Sequence, residues 1–237
     1  PFFYGWVVVA IAFVTMGIGV NARTSFSLLF PPILDEFGWS RGTVAATFSI
    51  GFIVSTMLTP SIGAMMDKVG PRVVLPLGGV IVSIGLMFST FSSEPWHFFI
   101  SLGILVVGGS VFMGYFGHTL FLPNWFDRRR GLAMGIAFAG AGVGAILIFP
   151  WMQYAIETSG WRYACIIVAA IIMFVLVPIN IFFQRHSPRD MGLEVDGGKI
   201  TDKGVGKARQ ENIDSRIVNR DWVETNWTVV KAMRTTN

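Results

Sequence analysis

Six apolar stretches occupy most of the first 184 residues, and short charged turns separate them: Tyr4 to Phe30, Thr43 to Met66, Val73 to Phe91, Trp96 to Leu122, Leu132 to Tyr154 and Tyr163 to Phe183. A helix needs roughly 20 mostly apolar residues to cross about 30 Å of hydrocarbon, and each stretch reaches that length. Six long helices with almost no polar face would leave a water-soluble domain without a surface. The expected fold is therefore an all-α membrane bundle over residues 1–184, in which every backbone group is bonded within its own helix.

Charge is sparse, at 14% of residues, and segregated. Lys199, Lys203, Lys207, Arg209, Arg216, Arg220, Lys231 and Arg234 all follow the last span, in a polar tail over residues 185–237. The basic excess thus indicates membrane topology and no nucleic-acid surface. The second turn carries Lys68 and Arg72, the fourth Arg128, Arg129 and Arg130, and the end of the sixth span Arg185 and Arg189. The odd-numbered turns hold Arg41 and Arg162 beside Asp35, Glu36, Glu94 and Glu157. The positive-inside bias then puts both ends of the chain in the cytoplasm, and a multi-pass protein of the cell membrane is expected. Trp6, Trp39, Trp96, Trp125 and Trp161 are placed near the two interfaces. The first span is too long for a cleaved signal peptide and lacks a basic leader. Cys165 is alone, which excludes a disulfide framework and a thiolate metal site.

The six spans carry an internal echo. Arg41-Gly42 and Arg130-Gly131 open spans two and five at an offset of 89, while Pro60 matches Pro150, and Gly70-Pro71-Arg72 matches Gly160-Trp161-Arg162, at an offset of 90. Three spans repeated by three must insert with opposite orientation, the inverted-repeat construction of secondary transporters.

The turn between spans two and three reads Gly63-Ala-Met-Met-Asp67-Lys68-Val-Gly70-Pro71-Arg72. Gly63 is expected to admit a neighbouring backbone, Asp67 to cap the next helix, and Gly70 to permit a tight reversal. This spacing of Gly, Asp, Gly and Arg resembles the signature loop of the major facilitator superfamily. Tyr4-Gly5-Trp6, Phe37-Gly38-Trp39-Ser40-Arg41, the run from Trp125 to Gly135, Gly160-Trp161-Arg162 and Pro188 to Leu193 further resemble the branch of monocarboxylate transporters and oxalate/formate antiporters. The resemblance implies twelve spans in two six-span halves joined by a cytoplasmic loop, with substrate held between the halves. It covers only the first half and the loop here, with a short amphipathic segment at 221–234 similar to the one before span seven. Together with Pro1 in place of Met, it leads us to expect a piece of a longer protein, the C-terminal six-helix half being the partner. In the family the Gly63, Asp67, Gly70 and Arg72 turn contacts that second half, as a conformational latch.

Arg23 is the ionisable side chain that falls clearly within a span. An intramembrane cation is costly and is usually aimed at a cavity or a partner, so Arg23 is the leading candidate for holding an anion. Relatives in the resembled branch have a basic residue near this position of span one. Snorkelling toward the outer boundary, about 28 Å of helix beyond Tyr4, is the alternative. On a helical wheel Arg23 and Ser27 share one face, while Asn21, Thr24 and Ser25 share another. His118 and Tyr115, about one turn from the cytoplasmic end of span four, are candidates for substrate contact or proton relay, with a packing histidine as the competing reading. Small-xxx-small spacings (Gly131, Gly135; Gly140, Gly144; Ser110, Gly114) allow close helix packing.

There is no HExxH, GxSxG or P-loop, so the chemistry of the corresponding enzymes is missing, and no cofactor or metal is expected. The expectation is a secondary transporter of a small organic anion, a mono- or dicarboxylate, in a lipid bilayer. A carrier of neutral solutes or drugs, or a membrane sensor of the same fold, is the alternative.

Overall fold

The computed structural model describes residues 3–197, and the segment anticipated at 221–234 lies outside them. Six helical spans are present: Gly5–Phe37, Arg41–Val69, Pro71–Ser89, Pro95–Asn124, Arg130–Ser159 and Trp161–Phe183. Their ends are set by local chemistry. The Ser40 hydroxyl accepts the Thr43 N–H (3.1 Å) to start span two, and Pro71 and Pro95 occupy the first turns of spans three and four, where a missing N–H is harmless. Gly38 in the left-handed region ends span one, and Gly70 (φ 74°) and Gly160 (φ 88°) end spans two and five.

Span one runs seven residues past its expected end at Phe30. Pro31 and Pro32 lie inside its second segment, Phe26–Phe37, after a single-residue turn at Ser25. Helices in lipid accommodate such prolines because local adjustments and neighbouring side chains re-satisfy the freed groups. The Ser27 hydroxyl donates to the Thr24 carbonyl (2.8 Å) across this turn. Span four is also irregular: residues Phe99–Gly108 form a wide i→i+5 helix, Gly109–Met113 a tight 3-10 turn, and Gly114 is extended before the helix resumes at Tyr115. Gly114 therefore marks a break in span four, not the helix contact its small-xxx-small spacing predicts.

The anticipated echo reappears in three dimensions. The turn at Ser25 and the break at Gly114 are 89 residues apart, on corresponding spans. Spans one and five pack extensively, as do their counterparts four and two. A Cβ at Gly140 would collide with the Phe13 carbonyl, and one at Gly51 would lie 2.6 Å from the Gly103 carbonyl oxygen. Buried polar side chains fasten the crossings. Asn21 Nδ2 donates to the Ala141 carbonyl (2.9 Å), Ser55 to the Val107 carbonyl (3.0 Å), Ser83 to the Ala169 carbonyl (3.2 Å), and Asn180 Nδ2 to Thr15 (2.9 Å). Such bonds are each worth about 0.6 kcal/mol on average in lipid.

Two apolar cores fill the bundle, one around Val8, Val74, Phe121 and Trp125, the other around Phe26, Ile33, Phe98 and Trp161. Trp125 and Trp161 stand at span ends, as expected, but are buried against the bundle and do not face lipid; each spends its indole N–H on a partner. At the end rich in Lys and Arg, the Tyr4 hydroxyl donates to the Phe183 carbonyl (2.8 Å), Arg72 Nε to Ile181 (2.6 Å) and Trp125 Nε1 to Arg185 (3.2 Å). These bonds bring the start of span one, the second turn, the fourth turn and the end of span six to one face, as alternating crossings require. After span six, residues 184–197 fold back across the fourth turn, where Asp196 Oδ2 accepts the N–H groups of Asp127 (3.2 Å) and Arg128 (2.9 Å).

Candidate functional site

Span one leaves an open stripe along Ala10, Val14, Thr24, Ser27 and Pro31. Thr24 is exposed on this stripe and its hydroxyl lies 3.2 Å from Asn21 Oδ1, so these two share a side of the helix as the helical wheel groups them, while Asn21 and Ser25 are themselves buried. Arg23 lies beside the stripe, half-buried, with its guanidinium carbon 3.9 Å from the centroid of the Phe52 ring on span two. The ring face attracts the cation and holds its plane, worth roughly 0.5–2 kcal/mol. Among the described residues Arg23 has neither a hydrogen-bond partner nor an acid, so its five N–H donors stay available.

The longer span one carries the helix well beyond Arg23. Arg23 lies about 27 Å from Gly5 and about 21 Å from Phe37, near the middle of the helix and not close to its end.

Tyr115 and Ser27 are exposed, and Tyr115 packs edge-on against Phe138 of span five at 5.2 Å between centroids. Along span four Tyr115 lies about 14 Å from Asn124, so it stands roughly 13 Å closer to the basic end than Arg23. The structure therefore places Ser27 one turn beyond Arg23 and Tyr115 well toward the basic end from both, and no hydrogen bond joins Tyr115 to either among the described residues. His118 is fully buried, with Nδ1 2.9 Å from the Gly114 carbonyl. Because that oxygen can only accept, Nδ1 carries the proton and the ring closes the break in span four. His118 presents no surface to the open stripe.

In the turn after span two, Asp67 is exposed and remains inside the helix, two residues before its end. Gly70 is the cap of span three, and no side chain caps it, so the capping role expected of Asp67 is absent. The reason is reach: the helix continues to Val69, leaving Asp67 a turn short of the span-three N–H groups. Among the described residues a Cβ at Gly63 would meet only the Phe116 ring, at 3.8 Å, and no neighbouring backbone comes within 4 Å of it. Arg72 is committed to the end of span six.

At the opposite end Glu36 Oε2 accepts Trp161 Nε1 (2.7 Å) and Arg162 Nη1 (2.7 Å), while Arg162 Nε donates to the Thr90 carbonyl (3.1 Å). This cluster ties spans one, three and six. Sequence reading saw Glu36 and Arg162 only as turn charges, since nothing in their 126-residue separation signals contact. Phe52 carried no signal either, being one of 21 phenylalanines.

Residues 4–235 match the Major Facilitator Superfamily. The chain is 35% identical over 170 residues to "Monocarboxylate transporter 11" of Homo sapiens, covering 71% of this chain and 36% of that protein. It is 31% identical over 169 residues to "Monocarboxylate transporter 13" of Rattus norvegicus, covering 71% and 39%. A third similarity, 28% over 186 residues, is to the "Uncharacterized MFS-type transporter YcxA" of Bacillus subtilis (strain 168), covering 77% and 45%. The chain thus spans less than half the length of these relatives.

Proposed function

Since the chain belongs to the Major Facilitator Superfamily, whose members are membrane transporters and not enzymes, we propose that it forms part of a secondary transporter moving a small organic anion by alternating access. The substrate in this reading is a mono- or dicarboxylate, the first being the class in the names of its relatives. The observation that carries this reading is Arg23: a guanidinium within span one, beside an open stripe, 3.9 Å from the centroid of the Phe52 ring and with no acid partner among the described residues. A planar carboxylate matches the guanidinium fork with two parallel hydrogen bonds, and low surrounding polarity strengthens them.

Ser27, one turn further along the same stripe, can turn its hydroxyl from the Thr24 carbonyl to the carboxylate, and Tyr115 offers a second station toward the basic end. His118 supports the break in span four from behind. The C-terminal half supplies the opposite wall, and the turn containing Gly63, Asp67, Gly70 and Arg72 docks on it, with the exposed Asp67 carboxylate as the contacting group. Residues 185–237 form the cytoplasmic loop between the halves, both ends of the chain are cytoplasmic, and the membrane is the cell membrane. An exchanged anion or a co-transported proton drives the cycle.

Uptake of a labelled monocarboxylate by the full-length protein in proteoliposomes tests the reading. Arg23→Gln should lower uptake at least tenfold and Arg23→Lys less, because a point charge attracts a carboxylate without the bidentate fit. Unchanged uptake in Arg23→Gln would transfer the assignment to a neutral solute. Ligand binding without flux in the unaltered protein would favour a sensor.

A further inference from the structure

At the basic end a cavity of about 260 Å³ is lined by Phe3, Trp6, Phe126, Arg128, Arg129 and Asp196. Its two halves differ in character. Trp6 and Phe126 pack at 5.0 Å and Phe3 and Phe126 at 5.5 Å, forming an aromatic wall continuous with the apolar core. The rim carries two exposed arginines that make no side-chain hydrogen bond and no ion pair among the described residues. Asp196 is engaged through Oδ2 by the backbone N–H groups of Asp127 and Arg128, and its own N–H donates to the Trp125 carbonyl (3.2 Å), which fixes the fourth turn and the rim.

Two guanidinium groups against one engaged carboxylate leave the cavity with a net single positive charge. The cavity lies where helix ends, tryptophan and arginine meet, the depth at which phospholipid headgroups sit. A group matching it has one negative charge, several acceptor oxygens for guanidinium N–H groups, and an apolar portion to cover the rings. We propose that this cavity binds the headgroup of an anionic phospholipid, with the phosphodiester on Arg128 and Arg129 and the upper acyl chains against Phe3, Trp6 and Phe126. This site is separate from Arg23, and its assignment does not depend on what the protein transports.

Binding of phosphatidylglycerol and of phosphatidylcholine to the full-length protein in detergent, quantified by native mass spectrometry, tests this assignment. The unaltered protein should bind phosphatidylglycerol about tenfold more tightly than phosphatidylcholine. The Arg128→Gln/Arg129→Gln protein should lose that preference, and Arg128→Lys/Arg129→Lys should keep most of it, which separates loss of charge from loss of fold. Equal binding of the two lipids, or an unchanged preference in the double Gln variant, would overturn the site. Displacement of the lipid by millimolar glycerol 3-phosphate would overturn the membrane as its source and assign the cavity to a soluble phosphate ester.

Discussion

The crossing of spans one and five and that of spans two and four occupy corresponding places in the repeat, yet they are built differently. At the first, regular α-helices meet so closely that Gly140 and Gly144 face the backbone of Phe13 and Gly17. At the second, Gly51 and Gly103 face each other's helices, but span four is wound in the wider i→i+5 form through Gly108. Ser55 takes up the Val107 carbonyl at the end of that wide stretch, whereas Asn21 donates to both Ala141 and its own helix at Gly17. The repeat preserves the distance between helices and lets the winding differ. Close approach is thus the shared requirement, and the helix form adapts to it.

The largest effects should come from testing that requirement. Gly140→Val places a side chain against backbone that has no rotamer to change, and should destabilise the full-length protein by about 3 kcal/mol or more. Gly51→Val should do the same if the crossings are equivalent. Thermal unfolding in detergent measures both, and a mild Gly51→Val would show that the wider winding of span four can yield where span one cannot. Next in size, Asn21→Leu removes the two bonds Asn21 donates and the one it accepts from Thr24, a loss of about 1.5 kcal/mol, against about 0.6 kcal/mol for Ser55→Ala. Equal losses would remove the distinction between the fastenings.

The six spans were legible because hydropathy over about 20 residues is a strong signal that neighbouring structure rarely overrides. The repeat was legible because Gly70 and Gly160 need the same positive φ, which few residues other than glycine adopt. The end of span one was not, since Pro31 and Pro32 read as a stop in water and are tolerated in lipid. In the candidate site Arg23 stood out through the cost of its charge, while Phe52 beneath it and the break at Gly114 did not. Both depend on which helices become neighbours, information spread over the packing of the whole bundle.

A second pair within the repeat separates its two ends. Arg72 Nε donates to Ile181 at the end of span six, and Arg162 Nε to Thr90 at the end of span three, reciprocal bonds from residues 90 apart. Among the described residues only Arg162 gains a carboxylate, Glu36, and a ring beneath it, Trp161 at 4.4 Å. Glu36 and Arg162 are each 40% exposed, so solvent screening limits the extra gain. Arg162→Met should cost about 1 kcal/mol and Arg72→Met about half that, measured by the same unfolding assay. If Arg72→Met were the more damaging, Arg72 would have a further partner outside the described residues.

Span five makes the last comparison within a single helix. Gly140 and Gly144 bury against span one, but Gly131 and Gly135 are exposed, and a Cβ at either would meet nothing within 4 Å. All four glycines satisfy the same small-xxx-small spacing, so sequence alone treats them alike. A glycine that touches nothing only loosens its helix, and Gly135→Ala should leave stability within about 0.5 kcal/mol of the unaltered protein or raise it slightly. The measurement uses the full-length protein, which also contains whatever faces span five beyond residue 197. A loss above about 1 kcal/mol would therefore locate a close contact between Gly135 and a segment outside the described residues. Combined with a large Gly140→Val effect, it would show that span five is pinned on both sides. The expected neutrality leaves one side free, as a helix that slides against a partner requires.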